Sequence, residues 1–310
     1  MKLHQLKALV AVYESGSIQE AARVLHLSQP ALSKSIKELE AALGVPLLVR
    51  SNRGITATVY GEHLIRRGRL MLQEARRARE EIEILKGDID GKVSVGISPA
   101  TPGAQFIAAV KQFGKRYPNV HLQIHEMRPS KLMEGLREGQ LDLMLCSQPA
   151  SRYSDGFHWT ELYTQPAVLA VRKDHPCRKA RSLSELQNQQ WLLQDSLDKS
   201  RIGLMFEQYQ IALPERVIEC SSGVMFCELA LNTDVISYWP SRVLTYVQKL
   251  GRELEVLNLQ EEVPPLNISL VYRNQEQITR SAMALAEELM YVYRNPNAPK
   301  LNEFEGLTMR

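Results

Sequence analysis

The 310-residue chain has no apolar run approaching the ~20 residues of a membrane-spanning helix, which excludes an integral membrane protein. Cysteine is scarce: Cys146, Cys177, Cys220 and Cys227 form no C-x-x-C pair and have no His-rich partner segment. This argues against a disulfide scaffold or a zinc site and fits a reducing compartment. His121, His125 and His158 lack metal-ligand spacing. There is no G-x-S-x-G, no H-E-x-x-H, no P-loop and no G-x-G-x-x-G after a strand. Cys220-Ser221-Ser222-Gly223 is then a weak nucleophile candidate without an identifiable base. No metal, cofactor or catalytic residue is expected. The first apolar stretch is broken by Lys7 and lacks the continuous core of a signal peptide, so a cytoplasmic location is expected.

What is present is an ordinary globular composition, with 44% hydrophobic and 24% charged residues. That excludes a disordered chain. The net charge of +3 conceals an asymmetry, because residues 1–87 hold 14 Lys+Arg against 9 Asp+Glu, and the remainder 24 against 26. A basic excess confined to one end of a chain suits a polyanion partner or a solvated helix face.

Leu3, Leu6, Leu9, Val10 and Tyr13 recur at helical spacing, and Gly16 ends that helix. Ser17 is a candidate N-cap for a second, short helix with Ile18, Ala21, Ala22 and Leu25 on its buried stripe, closed by Leu27. Ser28 is the next N-cap, with Pro30 in the first turn, and Leu32, Ile36, Leu39 and Leu43 line one face of a third helix. Short helices joined this way make a helix-turn-helix. Its second helix exposes Gln29, Ser33, Lys34 and Lys37, types suited to base edges and phosphates in a major groove. Strand-like residues 46–50 and 55–57 flank a turn at Ser51-Asn52-Arg53-Gly54, giving a wing on which Arg50 and Arg53 can meet the backbone or minor groove.

The series Gly16-Ser17-Ile18, Ala21-Ala22, Leu25, Leu27-Ser28-Gln29-Pro30-Ala31-Leu32-Ser33, Ile36, Leu39-Glu40, Leu43-Gly44, Leu47, Arg50, Gly54-Ile55, Thr58 and Gly61 resembles the winged helix-turn-helix of LysR-type transcriptional regulators. Leu48, Ala57 and Tyr60 depart from the usual pattern, outside the reading helix. The resemblance implies DNA contacts from Ser17, Ser28, Gln29, Pro30, Ser33, Lys34, Lys37, Arg50 and Arg53.

Residues 59–86 contain no proline, and Leu64, Gly68, Met71, Ala75, Ala78, Ile82 and Leu85 form a heptad seam. A rod of roughly 40 Å follows. It either packs on its own domain or pairs with a second copy. The second is favoured, with Leu64, Met71, Ala75, Ala78, Ile82 and Leu85 as dimerisation residues. The resemblance implies the same homodimer, often assembled into a homotetramer, and therefore an inverted-repeat double-stranded DNA site.

After a turn-rich hinge at Gly87–Gly91, strands and helices alternate, which predicts parallel sheets with right-handed crossovers. The order resembles the effector half of LysR-type regulators, built like a periplasmic binding protein in two α/β lobes. The expected fold class is α+β multidomain: a winged helix-turn-helix over 1–58, a linker helix and hinge over 59–90, lobe I over 91–163 with 268–294, lobe II over 164–267, and an exposed tail over 295–310. Ligands of open α/β sheets sit beyond strand carboxyl ends, near helix N-termini that favour carboxylates. Effector candidates there are Ser98, Pro99, Ala100, Thr101, Arg128, Ser147, Gln148, Ser200, Arg201, Ser222 and Gly223. Ser200 and Ser222 fit helix capping equally well, and Arg128 and Arg201 are either carboxylate partners or surface arginines. The expected protein is a DNA-binding regulator switched by a small-molecule effector, such as a carboxylate metabolite, with RNA polymerase a further candidate partner. The alternative is an enzyme or solute-binding module with a vestigial DNA-binding domain.

Overall fold

The computed structural model describes residues 1–51, 54–85, 91–101, 103–147, 156–249, 251, 253–273 and 278–295. The chain forms two compact units, Met1–Ile89 with Arg137–Gln140, and Asp90–Leu136 with Leu141–Arg310.

In the first unit, α1 (Leu3–Ser15) ends on Gly16, whose φ of 62° is left-handed and open to glycine. Helix α2 (Ile18–Val24) starts on Ser17, which accepts the Glu20 N–H. It ends earlier than Leu27, because His26 takes a left-handed φ of 54°. The Leu27 N–H then reaches back to the Ala22 carbonyl. Helix α3 (Gln29–Leu43) starts on Ser28, whose hydroxyl accepts the Ala31 N–H at 3.3 Å, and it ends on left-handed Gly44. Ala21, fully buried, lets α1 and α2 close over Leu9, Val12, Leu32, Ile36 and Leu39. Leu43, expected on this buried face, is exposed.

The wing pairs β1 (Leu48–Ser51) with β2 (Gly54–Ala57) antiparallel. Glu40 anchors it to α3 by accepting the Leu47 N–H at 2.8 Å and the Leu48 N–H at 3.2 Å. Helix α4 (Val59–Leu85) then runs for 27 residues. Its start is held by Thr58, whose hydroxyl donates to the Pro46 carbonyl at 2.7 Å and accepts the Gly61 N–H at 3.0 Å.

The expected seam divides. Leu64 packs on the core of its own unit, and Gly68 is buried facing Leu6 and Val10 of α1. Farther along, Met71, Ala78 and Ile82 are exposed and Ala75 is half-buried. Leu64 is half-buried against this core, and Gly68 is turned wholly inward, since a seven-residue repeat looks the same whichever surface it faces. Arg69 is also buried, 3.2 Å from Glu14 and 5.6 Å above the Tyr13 ring, so its charge is taken up inside the unit. The hinge residues 87–90, the Leu85 side chain and the tail 296–310 lie outside the described residues.

Among the described residues, the second unit has two five-stranded sheets. The first contains β3 (Gly91–Ile97), β4 (Val120–Glu126), β5 (Leu143–Ser147), β6 (Phe157–Gln165) and β12 (Leu266–Arg273), in the order β4-β3-β5-β12-β6. Helices α5 (Ala104–Arg116) and α10 (Arg280–Arg294) cover one face through Phe106, Phe113, Leu285 and Leu289. Helix α6 (Pro129–Arg137) belongs to another cluster, with Leu132 and Leu136 packed on Met144 and Val271. Neighbouring Leu270 and Val271 of β12 belong to different clusters, as strand alternation requires.

The second sheet contains β7 (Ala167–Arg172), β8 (Gln190–Leu193), β9 (Val217–Glu219), β10 (Val235–Pro240) and β11 (Leu254–Val256), in the order β11-β7-β10-β8-β9. Helix α7 (Arg201–Gln208) packs through Ile202, Met205 and Phe206 on Trp191. Helices α8 (Gly223–Asn232) and α9 (Ser241–Lys249) pack through Phe226, Leu244 and Val247 on Trp239.

The sheets are mixed rather than parallel. β3 pairs parallel with β4 and β5, but β12 pairs antiparallel with β5 and β6. Likewise β7 runs antiparallel to β10 and β11. β6 carries the chain out of the first sheet and β12 brings it back, so these crossing strands run against each other. The expected changes of lobe at 163/164 and 267/268 fall inside them, since β6 continues to Gln165 and β12 begins at Leu266.

Candidate nucleic-acid interface and ligand cleft

The N-terminal unit presents α3 edge-outward. Leu32, Ile36 and Leu39 are buried, and Gln29, Pro30, Lys34 and Lys37 are exposed on the other side. Positions 29, 30, 33, 34 and 37 fall on one helical stripe. Ser33 is half-buried and lines a groove between α3 and the wing with Ile18, Ile36, Leu48 and Ile55. Ser17 and Ser28 are N-caps whose hydroxyl oxygens accept backbone N–H groups, so contact with an outside group must share that role. Lys34 lies 3.9 Å from Glu38 with both side chains largely exposed, a pairing too weak to hold it from a phosphate. Ala31 is an exposed methyl between Pro30 and Lys34, where a thymine methyl could pack. It was visible in the sequence but carries no charge to draw attention. Arg50 lies on β1 with its side chain outside the described residues, as is all of Arg53.

In the C-terminal unit the carboxyl ends of β3, β4 and β5 lead to the expected cleft stretches. Ser98 and Thr101 are buried and joined Oγ to Oγ1 at 2.8 Å. Thr101 donates to the Leu145 carbonyl at 3.1 Å. With its one proton committed there, Thr101 accepts from Ser98, and neither hydroxyl has a proton left to give. The pair fastens the β3 loop to β5. Pro99 and Ala100 are half-buried, and the Ala100 carbonyl accepts the Gln165 Nε2 proton at 2.9 Å. Gln165 is buried, and its Oε1 has no hydrogen-bond partner among the described residues. Ser147 ends β5 half-buried, and Gln148 lies outside the described residues.

Ser200 caps α7, accepting the Gly203 N–H at 3.1 Å and donating to the Leu197 carbonyl at 2.8 Å. Ser222 caps α8, accepting the Met225 N–H at 3.3 Å. Capping thus accounts for both. A Cβ on Gly223 would lie 3.0 Å from Glu126 Oε1, so glycine leaves room for that carboxylate beside the α8 N-terminus.

Arg201 donates to the Pro265 carbonyl at 3.1 Å and is largely desolvated, which lowers its pKa against the opposing influence of Tyr238 and Cys146. Arg201 is thus half-buried, with its guanidinium drawn toward Pro265 and Tyr238. Burial pushes the Cys146 thiol up to about 12 despite Arg201, and it raises Cys177 too, so neither is a poised thiolate. Arg128 reaches Asp195 of the second lobe at 4.0 Å. Asp195 and Glu126 were missed from sequence: each is one carboxylate among many, and the positions it meets are remote in the chain. Among the described residues no three His, Cys, Asp or Glu side chains could hold a metal, and no helix is long and apolar enough to cross a membrane.

A winged helix-turn-helix on one unit and two α/β lobes on another define a ligand-responsive DNA-binding protein class. The LysR substrate binding domain pattern matches residues 86–293, and the bacterial regulatory helix-turn-helix pattern of the lysR family matches residues 3–62. The chain belongs to the LysR family of transcriptional regulators, whose members are regulators rather than enzymes. It is 27% identical to the HTH-type transcriptional regulator TdcA of Escherichia coli over 289 residues, covering 92% of this chain and 91% of TdcA. A full-length OxyR variant from Pseudomonas aeruginosa has the same fold, with TM-score 0.64, 24% identity, and coverage of 93% of this chain and 94% of OxyR. Full-length CbnR solved with its target DNA gives TM-score 0.59 and 22% identity, covering 94% of this chain and 99% of CbnR.

Proposed function

We propose that this regulator binds an inverted-repeat operator as a homodimer, assembling further to a tetramer, and that an effector with an anionic group acts through the cleft between its α/β lobes. It would work in the bacterial cytoplasm, at the nucleoid, and act on RNA polymerase at neighbouring promoters. The carrying observation is the exposed stripe of Gln29, Pro30, Lys34 and Lys37 on a helix whose opposite face is locked into a core. The family's DNA role and the DNA-bound CbnR support the same reading. Gln29 and Ser33 are assigned to base edges, and Lys34, Lys37, Arg50 and Arg53 to phosphates or the minor groove, with Ser17, Ser28 and Pro30 setting the approach of the helix.

Self-association through α4 is supported by Met71 and Ile82, exposed by 43% and 55% although apolar, with Ala75 and Ala78 in the same row; Leu85 is assigned to it from the heptad spacing alone. For the effector, Arg201 and Arg128 supply positive charge, and the N-termini of α6, α7 and α8 supply backbone N–H donors. Ser98, Pro99, Ala100, Thr101, Ser147, Gln148, Ser200, Ser222 and Gly223 would line the cleft.

The test is retardation of an inverted-repeat fragment from the gene's upstream region at rising salt. Wild type should bind with affinity falling steeply as salt rises, and Lys34→Ala should flatten the log–log slope by about one. Absence of retardation at low salt would sink the DNA-reading assignment. Ile82→Glu, read by sedimentation, should shift the protein toward monomer.

A further inference from the structure

Asp195 lies between β8 and α7 in the second lobe, yet its partners are in the first. Its Oδ2 accepts the Ser130 N–H at 3.0 Å, and its Oδ1 accepts the Ser130 hydroxyl at 2.9 Å. Arg128 Nη1 stands 4.0 Å from Oδ1. Within its own lobe, among the described residues, it accepts the neighbouring Ser196 N–H at 3.0 Å. The residue is 93% buried, as its relative exposure of 7% states. Ser130 is in the first turn of α6, where the amides of a nine-residue helix are unsatisfied by the helix itself and carry its positive end. A backbone N–H, a hydroxyl and a guanidinium thus converge on one carboxylate, which is the donor set that a free carboxylate would need.

A desolvated carboxylate held this way is not an incidental surface contact. Its bonds span two bodies that a short two-strand connection joins at Pro166 and Leu266, so they resist rotation of one lobe on the other. Glu126 of the first lobe likewise lies close to Gly223 at the α8 N-terminus of the second, 3.0 Å from where a Cβ there would stand. Two helix ends that a carboxylate ligand would be expected to seek therefore already face carboxylates of this chain.

We infer that Asp195 is a tethered occupant of an anion-binding position on the first lobe, formed by the Ser130 N–H, the Ser130 hydroxyl and Arg128, and that an anionic group of the effector takes its place and releases the second lobe. This rests on the cleft reading given above and specifies how that cleft is switched. The ligand class is a carboxylate or similar oxyanion, because only an acceptor-rich anion matches donors arranged for Asp195. Displacement exchanges one set of charge-assisted hydrogen bonds for another, so the ligand needs little net affinity beyond that of its remaining groups.

The experiment uses the full-length protein and acetate as probe. Hydrogen exchange is followed in the peptide covering the first turn of α6, in wild type, Asp195→Ala and Asp195→Asn. The Asp195→Ala protein should exchange there about tenfold faster or more. Acetate should slow it again, whereas chloride at the same ionic strength should not. Asp195→Asn keeps an acceptor oxygen and the side-chain volume, so it should exchange at an intermediate rate with little response to acetate. Exchange unchanged in both variants overturns the inference, as does an Asp195→Ala protein on which acetate and chloride act alike. If Asp195→Ala does not fold, Asp195→Asn decides, and a wild-type rate there overturns the inference. Operator retardation by wild type is read in parallel. Its loss would strike the DNA-reading assignment and leave this inference standing.

Discussion

Gly61 is the position where one added carbon should do the most damage to the DNA-reading unit. It lies in the first turn of α4, against the chain that enters the wing. A Cβ there would stand 2.0 Å from the Leu47 carbonyl oxygen and 2.9 Å from its carbon. Both atoms are backbone, so no side chain can swing aside, and the helix must back away from the wing by about 1 Å to restore ordinary contact. That movement strains the Thr58 N–H bond to Leu47 and the Thr58 hydroxyl bond to Pro46, now 2.9 Å and 2.7 Å. Overpacking of about 1–3 kcal/mol, with about 1 kcal/mol for each hydrogen bond lost, gives roughly 2–5 kcal/mol for Gly61→Ala. For a unit of this size the melting temperature should fall by at least about 8 °C. Differential scanning calorimetry would resolve it, and operator affinity should fall because the wing no longer sits square to α3. Gly114→Ala is the control. Gly114 is inside α5 with nothing within 4 Å of a built Cβ, so alanine should stabilise by about 0.5–1 kcal/mol through helix propensity. A Gly61→Ala protein melting within about 2 °C of wild type would refute the steric reasoning.

His26 should behave in the opposite sense to Gly61. It carries a left-handed φ of 54° without being glycine, so His26→Gly should raise stability by about 0.5–1 kcal/mol in urea titration, and a loss would show that its side chain contributes more than its backbone costs. His175 predicts a pH dependence. It is buried, its Nδ1 accepts the Cys177 N–H at 3.0 Å, and burial lowers its pKa below the usual 6.5, partly opposed by Asp234. With the folded value depressed, the unfolded chain binds the proton first as pH falls. Stability is therefore full above about pH 6.5 and declines as pH falls below it, levelling off only beneath the folded value. In His175→Asn, which can still accept the Cys177 N–H, the urea midpoint should fall less between about pH 7.5 and 5.5, and an unaltered fall would clear His175 of the effect.

The N-terminal unit was largely legible because its signals are local. Ser17 and Ser28 cap helices whose buried stripes repeat within a few residues, and Gly16 and Gly44 end helices through their own backbone angles. The inward turn of Gly68 was not legible, because a heptad is indifferent to whether it meets α1 or a second chain. In the α/β unit the strand positions could be found but their directions could not, since antiparallel pairing of β12 depends on a partner more than a hundred residues away. Helix α9 was not expected at all. Its buried residues are few, Leu244 and Val247, between exposed or half-buried neighbours, and the short β11 after it gives no alternation to read. The site residues divide the same way. Exposure of Gln29 and Lys34 follows from helical spacing, whereas the Ser98–Thr101 pair and the seat of Asp195 depend on Leu145 and Ser130, which folding alone brings near.

The central claim, a two-fold symmetric DNA reader, is tested most directly by selecting sequences from a random double-stranded DNA pool with the full-length protein. Enrichment of an inverted repeat with half-sites about one or more helical turns apart, lost with Gln29→Ala and Lys34→Ala together, is the predicted result. Recovery of no motif, or of a motif that the double variant enriches equally well, would contradict it.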